Sequence, residues 1–384
     1  MKNFSRIIII FTIFTGPVFA QEPSPFFKDC AIVEVDTPLA TNPAERDRRQ
    51  RANSRYDNEG WVSTSPPREG DGGVGRIDEE APPAPYPVFE STLVVLGNVT
   101  GSAAFLSNDR RGIYTEFTFQ ITEIFKNDDA KYAAGDKVIA DRAGGCLRFP
   151  NGRMTRYGMN DHGLPFVGKT YLLFLKREGT SPNFKILNGY EIREGKPGYR
   201  LEYYDEPENY KSMTASQLIE AVRYEMAHPV YRRLAIDAVA GAPVRIARVK
   251  TGFGEIAPGK SFAAEYNWLR RLTIGIENVS DKTVTYTELC LCFPLPENAK
   301  DKSGYGDLLD YGIDPRRVDA KTYVGYRPPP VLPGKQGEIV LDDFKYRDIE
   351  AALYYQGYER GFSRVRVCVN TVGFEDGTIW KRIE

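Results

Sequence analysis

The residues that could do chemistry are few and widely spaced. The chain has two histidines, His162 and His228, and five cysteines, Cys30, Cys146, Cys290, Cys292 and Cys368. Cys290-Leu291-Cys292 offers two thiolates to a soft metal such as Cu(I). On a strand both sulfurs face one side, about 7 Å apart, which suits neither pairing with each other nor tight chelation. The preferred reading is a disulfide from one of them to Cys368. A metal site would need a further Cys, Met or His nearby, and the sequence sets none beside them. His162 lies in "GMNDHGLPF", where Asn, Asp and Gly supply turn chemistry, although Asp161-His162 could be half of an acid–base pair. His228 stands at the end of a helical pattern, where a cation complements the helix dipole. Arg148, Arg153 and Arg156 join His162 around one hairpin, "DRAGGCLRFPNGRMTRYG". They could receive an anionic ligand or form a solvated strand face. Asp205-Glu206 and Asp342-Asp343 are adjacent carboxylates, solvated by default.

What is missing narrows the field. The sequence has no H-E-x-x-H, no G-x-S-x-G, no Walker A lysine and no G-x-G-x-x-G between strand and helix. No catalytic residue, metal or cofactor is expected. Lys plus Arg is 51 against 52 Asp plus Glu, so no global field draws in nucleic acid or an anionic membrane.

These side chains need scaffolds, and the chain is long enough for two. It has 384 residues, 41% hydrophobic and 27% charged, as in ordinary globular proteins. Residues 1–20 read as a secretory signal: Lys2 and Arg6, then the apolar run Ile7 to Phe14, then Val18-Phe19-Ala20 before the new terminus Gln21. Export to the periplasm or beyond permits disulfides, and an odd cysteine count leaves at least one thiol unpaired or bridged to another molecule. No later segment is long and apolar enough to span a bilayer.

Residues 21–85 hold a stretch rich in Pro, Gly and charge without apolar period, including "RDRRQR" (Arg46 to Arg51), and read as a disordered linker. Residues 86–195 alternate in period two, as in "IYTEFTFQITEIFK", with turn signals between five or six strands, which argues for a small barrel or sandwich. Residues 196–243 read as a helical connector. Thr214 and Gln217 form a capping box, Leu218, Val222 and Met226 make an apolar stripe, and a second short helix is expected from Val230 to Val239. Residues 244–384 return to alternating strands and read as an immunoglobulin-like antiparallel sandwich, with Asp376-Gly377 as a two-residue hairpin turn. The expected fold is thus mainly β: a barrel and a sandwich joined by a short helical connector.

The order Val95 to Val99, Ile121 to Asn127, Cys146, then Gly168 to Phe174 ("GKTYLLF") resembles the netrin-like, or tissue-inhibitor-of-metalloproteinase-like, module of exported proteins. The resemblance covers about a hundred residues of strand pattern. It implies an OB-like barrel and a bridge from Cys30 to Cys146. Inhibitors of that family chelate the target zinc through an N-terminal cysteine. Here the mature chain is expected to begin at Gln21, nine residues before Cys30, so that activity cannot be carried over. The C-terminal half, with "FEDGTIW" (Phe374 to Trp380), is similar to β-sandwiches of uncharacterised exported bacterial proteins, which implies adhesion, scaffolding or partner binding.

The function expected is that of an exported, non-enzymatic module of the cell envelope that binds a protein or glycan partner. The alternatives are a protease inhibitor, by the barrel resemblance, and a hydrolase working through paired carboxylates.

Overall fold

The computed structural model describes residues 30–382, except 39, 64, 69–73, 78–83, 160–162, 194–195, 202–212, 295–304, 317–327, 356–357 and 359–362. The signal-like segment 1–20, His162 and Asp205-Glu206 lie outside the described residues.

In the N-terminal half, the strands are β1 (Ile32–Glu34), β2 (Val74–Ile77), β3 (Leu93–Leu106), β4 (Ile113–Asn127), β5 (Lys137–Ala143), β6 (Gly145–Arg148), β7 (Met154–Met159), β8 (Thr170–Arg177), β9 (Phe184–Arg193) and β10 (Lys196–Arg200). The helices are α1 (Pro43–Asn53) and α2 (Ala215–Ala227). Strand β3 pairs antiparallel with β4 and β8, β4 with β5, and β8 with β9. A parallel contact between β5 and β9 at Ala140–Phe184 closes these five strands into a ring. Period two decides what fills it. Leu93, Val95, Phe117, Phe119, Tyr171, Leu173 and Leu175 all point inward. The run "TYLLFLKR" is apolar on both faces for a reason. Leu172 and Phe174 point outward and meet Leu218 and Val222 of α2, so β8 is buried on both sides. The Thr214–Gln217 capping box that starts α2 is present in both directions.

A second small sheet runs in the order β1-β6-β7-β2, and its Val33, Leu147 and Tyr157 pack with Ala104 of β3 and Ile113 of β4. Here the quoted hairpin is explained. Gly144, at φ +114°, lets the chain turn from β5 into β6, a conformation that side chains rarely adopt. Strands β6 and β7 then form the hairpin, and a Cys30–Cys146 disulfide fastens β1 alongside β6.

The expected disordered linker is corrected for residues 40–57. Asn42 caps α1 by accepting from Ala44 N at 2.9 Å and Glu45 N at 3.3 Å, with Pro43 in the first turn. The helix has no apolar stripe, which is why periodicity misses it. Cations fasten it instead. Arg48 reaches buried Glu116 at 3.1 Å, and Arg55, just beyond the helix, pairs with buried Asp141. The "RDRRQR" run is thus part of the packing rather than a wholly solvated face.

In the C-terminal half, the strands are β11 (Tyr231–Asp237), β12 (Val244–Thr251), β13 (Gly254–Glu255), β14 (Ser261–Ala263), β15 (Thr273–Asn278), β16 (Val284–Phe293), β17 (Tyr305–Gly312), β18 (Gln336–Val340), β19 (Arg364–Phe374) and β20 (Ile379–Lys381). The helix α3 (Asp343–Tyr355) follows β18. One sheet runs β14-β11-β19-β16-β17, with β20 on β19, and a second runs β13-β12-β15-β18. Ile274 and Ile276 from one sheet, and Leu289, Leu291, Phe293 and Val367 from the other, share one core with Trp268.

Three local expectations are corrected here. Val230 to Val239 is mostly strand β11, not helix; Arg232 and Leu234 are its buried positions, two apart, and β19 pairs with it in parallel. That pairing also makes the C-terminal body not purely antiparallel. The Asp376-Gly377 turn spans three residues, because Phe374 N bonds Thr378 O at 3.0 Å and only Gly377 takes positive φ (+83°). The sequence also hid α3. Asp342 caps it by accepting from Lys345 N at 2.8 Å, and Tyr346, Ile349 and Leu353 pack on the core.

The two halves touch through polar groups. Glu265, on the C-terminal side, accepts from Phe89 N at 2.6 Å and Glu90 N at 3.4 Å. Lys176 of β8 donates to Glu90 at 2.9 Å and to Gly252 O at 2.6 Å.

Candidate functional site

The arginine patch expected around the hairpin is engaged in holding the N-terminal segment. Arg148 is opposite Glu34 in the parallel β1–β6 register and forms an ion pair with it. Arg153 donates to Pro67 O at 2.7 Å. Arg156 lies opposite Cys146 on β7. His228 ends α2, its Nδ1 2.9 Å from Tyr224 O and its ring stacked on Tyr224. Asp343 lies 3.6 Å from Arg270, so the Asp342-Asp343 pair is spent on a helix cap and an ion pair.

A pair of carboxylates does approach inside the N-terminal half, where no motif announced it. One amide, Asn183 Nδ2, bridges Glu116 at 2.8 Å and Asp141 at 3.0 Å. Both carboxylates are already occupied. Arg48 and Arg49 hold Glu116; Arg55 and the Tyr56 hydroxyl, at 2.7 Å, hold Asp141. Burial pushes the Asp141 carboxyl up, opposed by the Arg55 charge, and drives the Tyr56 hydroxyl well up. This arrangement is a clamp for α1, since the guanidiniums take the lone pairs that a reaction would use.

Beside the clamp a cleft of about 400 Å³ opens between β1, α1 and the β3–β4 turn. Its lining includes Arg46, Arg49, Gln50, Phe105 and Arg110 and, among the described residues, contains no Asp or Glu. Arg49 lies 3.4 Å over the Phe105 ring and is tied to Glu45 at 2.7 Å. Arg110 donates to Val35 O at 2.9 Å and Thr37 O at 3.1 Å. Arg46 is exposed on α1 and takes part in none of these bonds. Neither Glu116 nor Asp141 lines the cleft. Composition concealed this site, because its three arginines converge only when α1 docks.

The other candidate is made of sulfur. Strand register sets Cys290 of β16 directly opposite Cys368 of β19, and Cys292 lies two residues along on the same face as Cys290. The core face of β16 carries Leu289, Leu291 and Phe293, so these thiols point away from the core. Cys290 and Cys292 come within 3.2 Å, nearer than strand spacing alone predicts, because their side chains lean together. All three sulfur atoms lie within 4.8 Å of one another, and all three cysteines are free thiols. Arg382 donates to Cys368 Sγ at 2.7 Å. Hydrogen bonding from Cys290 and the Arg382 charge draw the Cys368 thiol down to about 6, while the same contact and burial push Cys290 up. Gly306 of β17 faces Cys292 with no side chain, and half-exposed Leu308 faces Cys290. Strand pairing does bring Cys368 beside Cys290, as the expected disulfide requires, but all three thiols are free, so that disulfide is corrected, and a third sulfur ligand does stand near Cys290-Leu291-Cys292.

Compared with protein-family models, curated proteins and solved structures, the chain matches none.

Proposed function

We propose that this chain is an exported, non-catalytic binding protein that takes a carboxylate-bearing polypeptide or glycan into the cleft between β1, α1 and the β3–β4 turn. The observation that carries this reading is the cleft itself: about 400 Å³, with three arginines, one aromatic ring and no acidic residue among the described residues that line it. The surrounding clamp preorganises it, so little ordering entropy remains to oppose binding. Export is supported by the signal-like segment 1–20 and by the Cys30–Cys146 bridge, which suits an oxidising compartment.

The N-terminal half is read as OB-like. Its ring runs β3-β4-β5-β9-β8 and returns to β3, with one parallel pair, in keeping with a five-stranded barrel. The C-terminal half is read as an immunoglobulin-like sandwich of two facing sheets. Protease inhibition through an N-terminal cysteine is disfavoured because a chain starting at Gln21 sets nine residues before Cys30, so its nitrogen is a peptide amide and not the free amine that such chelation uses. Hydrolysis through Glu116 and Asp141 is disfavoured because both are held by arginine.

The test is direct. The purified mature chain is screened against acidic peptides and uronate oligosaccharides at low and physiological salt, and hits are followed by calorimetry. Binding should weaken as salt rises. The pair Arg46→Ala and Gln50→Ala should cost about tenfold or more in affinity, the scale of one hydrogen bond to a charged group. Salt-insensitive binding, or an affinity untouched by that pair, sinks the assignment to this cleft. Turnover of any bound ligand sinks its non-catalytic part.

A further inference from the structure

We propose that Cys290, Cys292 and Cys368 form a binding site for a soft monovalent cation, copper(I), held by three sulfur atoms on the outer face of the β16–β19 sheet. The inference stands apart from the cleft and uses different residues.

A metal–sulfur bond of about 2.3 Å in a trigonal plane sets the sulfurs about 4 Å apart. The three sulfurs already lie within 4.8 Å of one another, so capture needs only side-chain adjustment. The backbone is fixed by paired strands, which hold the sulfurs more firmly than a loop would.

Donor type selects the metal. Thiolates favour soft cations, and copper(I) is satisfied by few sulfur ligands. A structural zinc site asks for four donors in a tetrahedron. Among the described residues the cluster of possible ligands contains these three cysteines and no fourth side chain. Among the described residues no histidine joins it, since His228 sits at the end of α2.

Cationic side chains stand beside the sulfurs. Three thiolates around a monovalent ion leave a net double negative charge. Arg382 already donates to Cys368 Sγ at 2.7 Å, whereas Arg366, opposite Cys292 in the register, is paired with Asp237 at 3.4 Å. The site therefore carries its own counter-charge. Gly306 adds room on the β17 side, because a side chain there would meet Cys290 Sγ at 3.6 Å.

The experiment uses the full mature chain with its Cys30–Cys146 bridge intact. The reduced free thiols are titrated with copper(I) under nitrogen in competition with a chromophoric copper(I) chelator. One copper per chain, and a first shell of three sulfurs by X-ray absorption, are expected. Cys292→Ser should lose at least about 100-fold in affinity, more than an outer-shell partner would cost. The wild-type sulfur count stands whether or not that variant folds. A shell of two sulfurs, mixed oxygen or nitrogen ligation, or zinc held as tightly in a four-donor shell overturns the proposal. So does a disulfide from Cys290 or Cys292 to Cys368 in chain alkylated at the moment of harvest.

Discussion

Glu265→Gln is expected to be more stable than the parent protein at pH 8, by a few kcal/mol, and nearly equal to it at pH 5. The cause is burial. Glu265 lies at the contact between the two halves, one oxygen accepting from Phe89 N at 2.6 Å and the other, buried, with no hydrogen-bond partner. Burial lifts its carboxyl from an ordinary 4.5 to about 8, and the Glu90 charge adds to the rise, against the backbone N–H groups. The sign follows from proton counting. Between those two values the folded chain keeps a proton that the unfolded chain has lost. Stability is therefore greatest below 4.5 and falls through the window, at about 1.4 kcal/mol per pH unit, until both states are ionised above 8. A glutamine keeps the accepting oxygen and carries no proton to lose. Denaturant unfolding of both proteins at pH 5, 6.5 and 8 reads the difference. Parallel profiles for the two would show that Glu265 is ionised in the fold.

The double variant Cys30→Ser with Cys146→Ser should lose about 4–5 kcal/mol of unfolding free energy, on the chain-entropy scale for a loop of this size. The bridge joins residues 116 apart. It also holds β1, only three residues long, against β6. Without it, β1 is tied to the hairpin by this short ladder, the Arg148–Glu34 pair and the packing of Val33 with Leu147. Because β1 forms one wall of the cleft, the same variant should weaken any ligand that binds there. The control is reduction. A reductant should bring the parent's urea midpoint down to that of the variant and leave the variant unmoved. Equal midpoints without reductant would mean that the bridge contributes nothing.

Copper(I) uptake at the three thiols and carboxylate binding in the cleft are separable in the same preparations. Arg46→Ala leaves the sulfur cluster whole, and Cys292→Ser leaves the cleft whole. The two sites lie on different halves of the chain.

Much of the local structure was legible in the residues themselves. Alternation in "IYTEFTFQITEIFK" specified β4 and its inward face, because side chains of a strand point to opposite sides in turn. The Thr214–Gln217 box specified where α2 begins, because cap chemistry is confined to one helical turn. The signal in α3 was present too, as Asp342 followed by Tyr346, Ile349 and Leu353, but the neighbouring strand pattern masked it. What only the tertiary structure decided was everything that depends on distant partners. Helix α1 has nothing apolar to announce it and exists through guanidiniums that meet Glu116 and Asp141 far along the chain. The stretch 231–237 became strand because β19 offers it a parallel edge, and pairing outweighs weak local preference. Cys368 joins Cys290 and Cys292 by strand register alone, and register between remote strands leaves no mark in the spacing of either one.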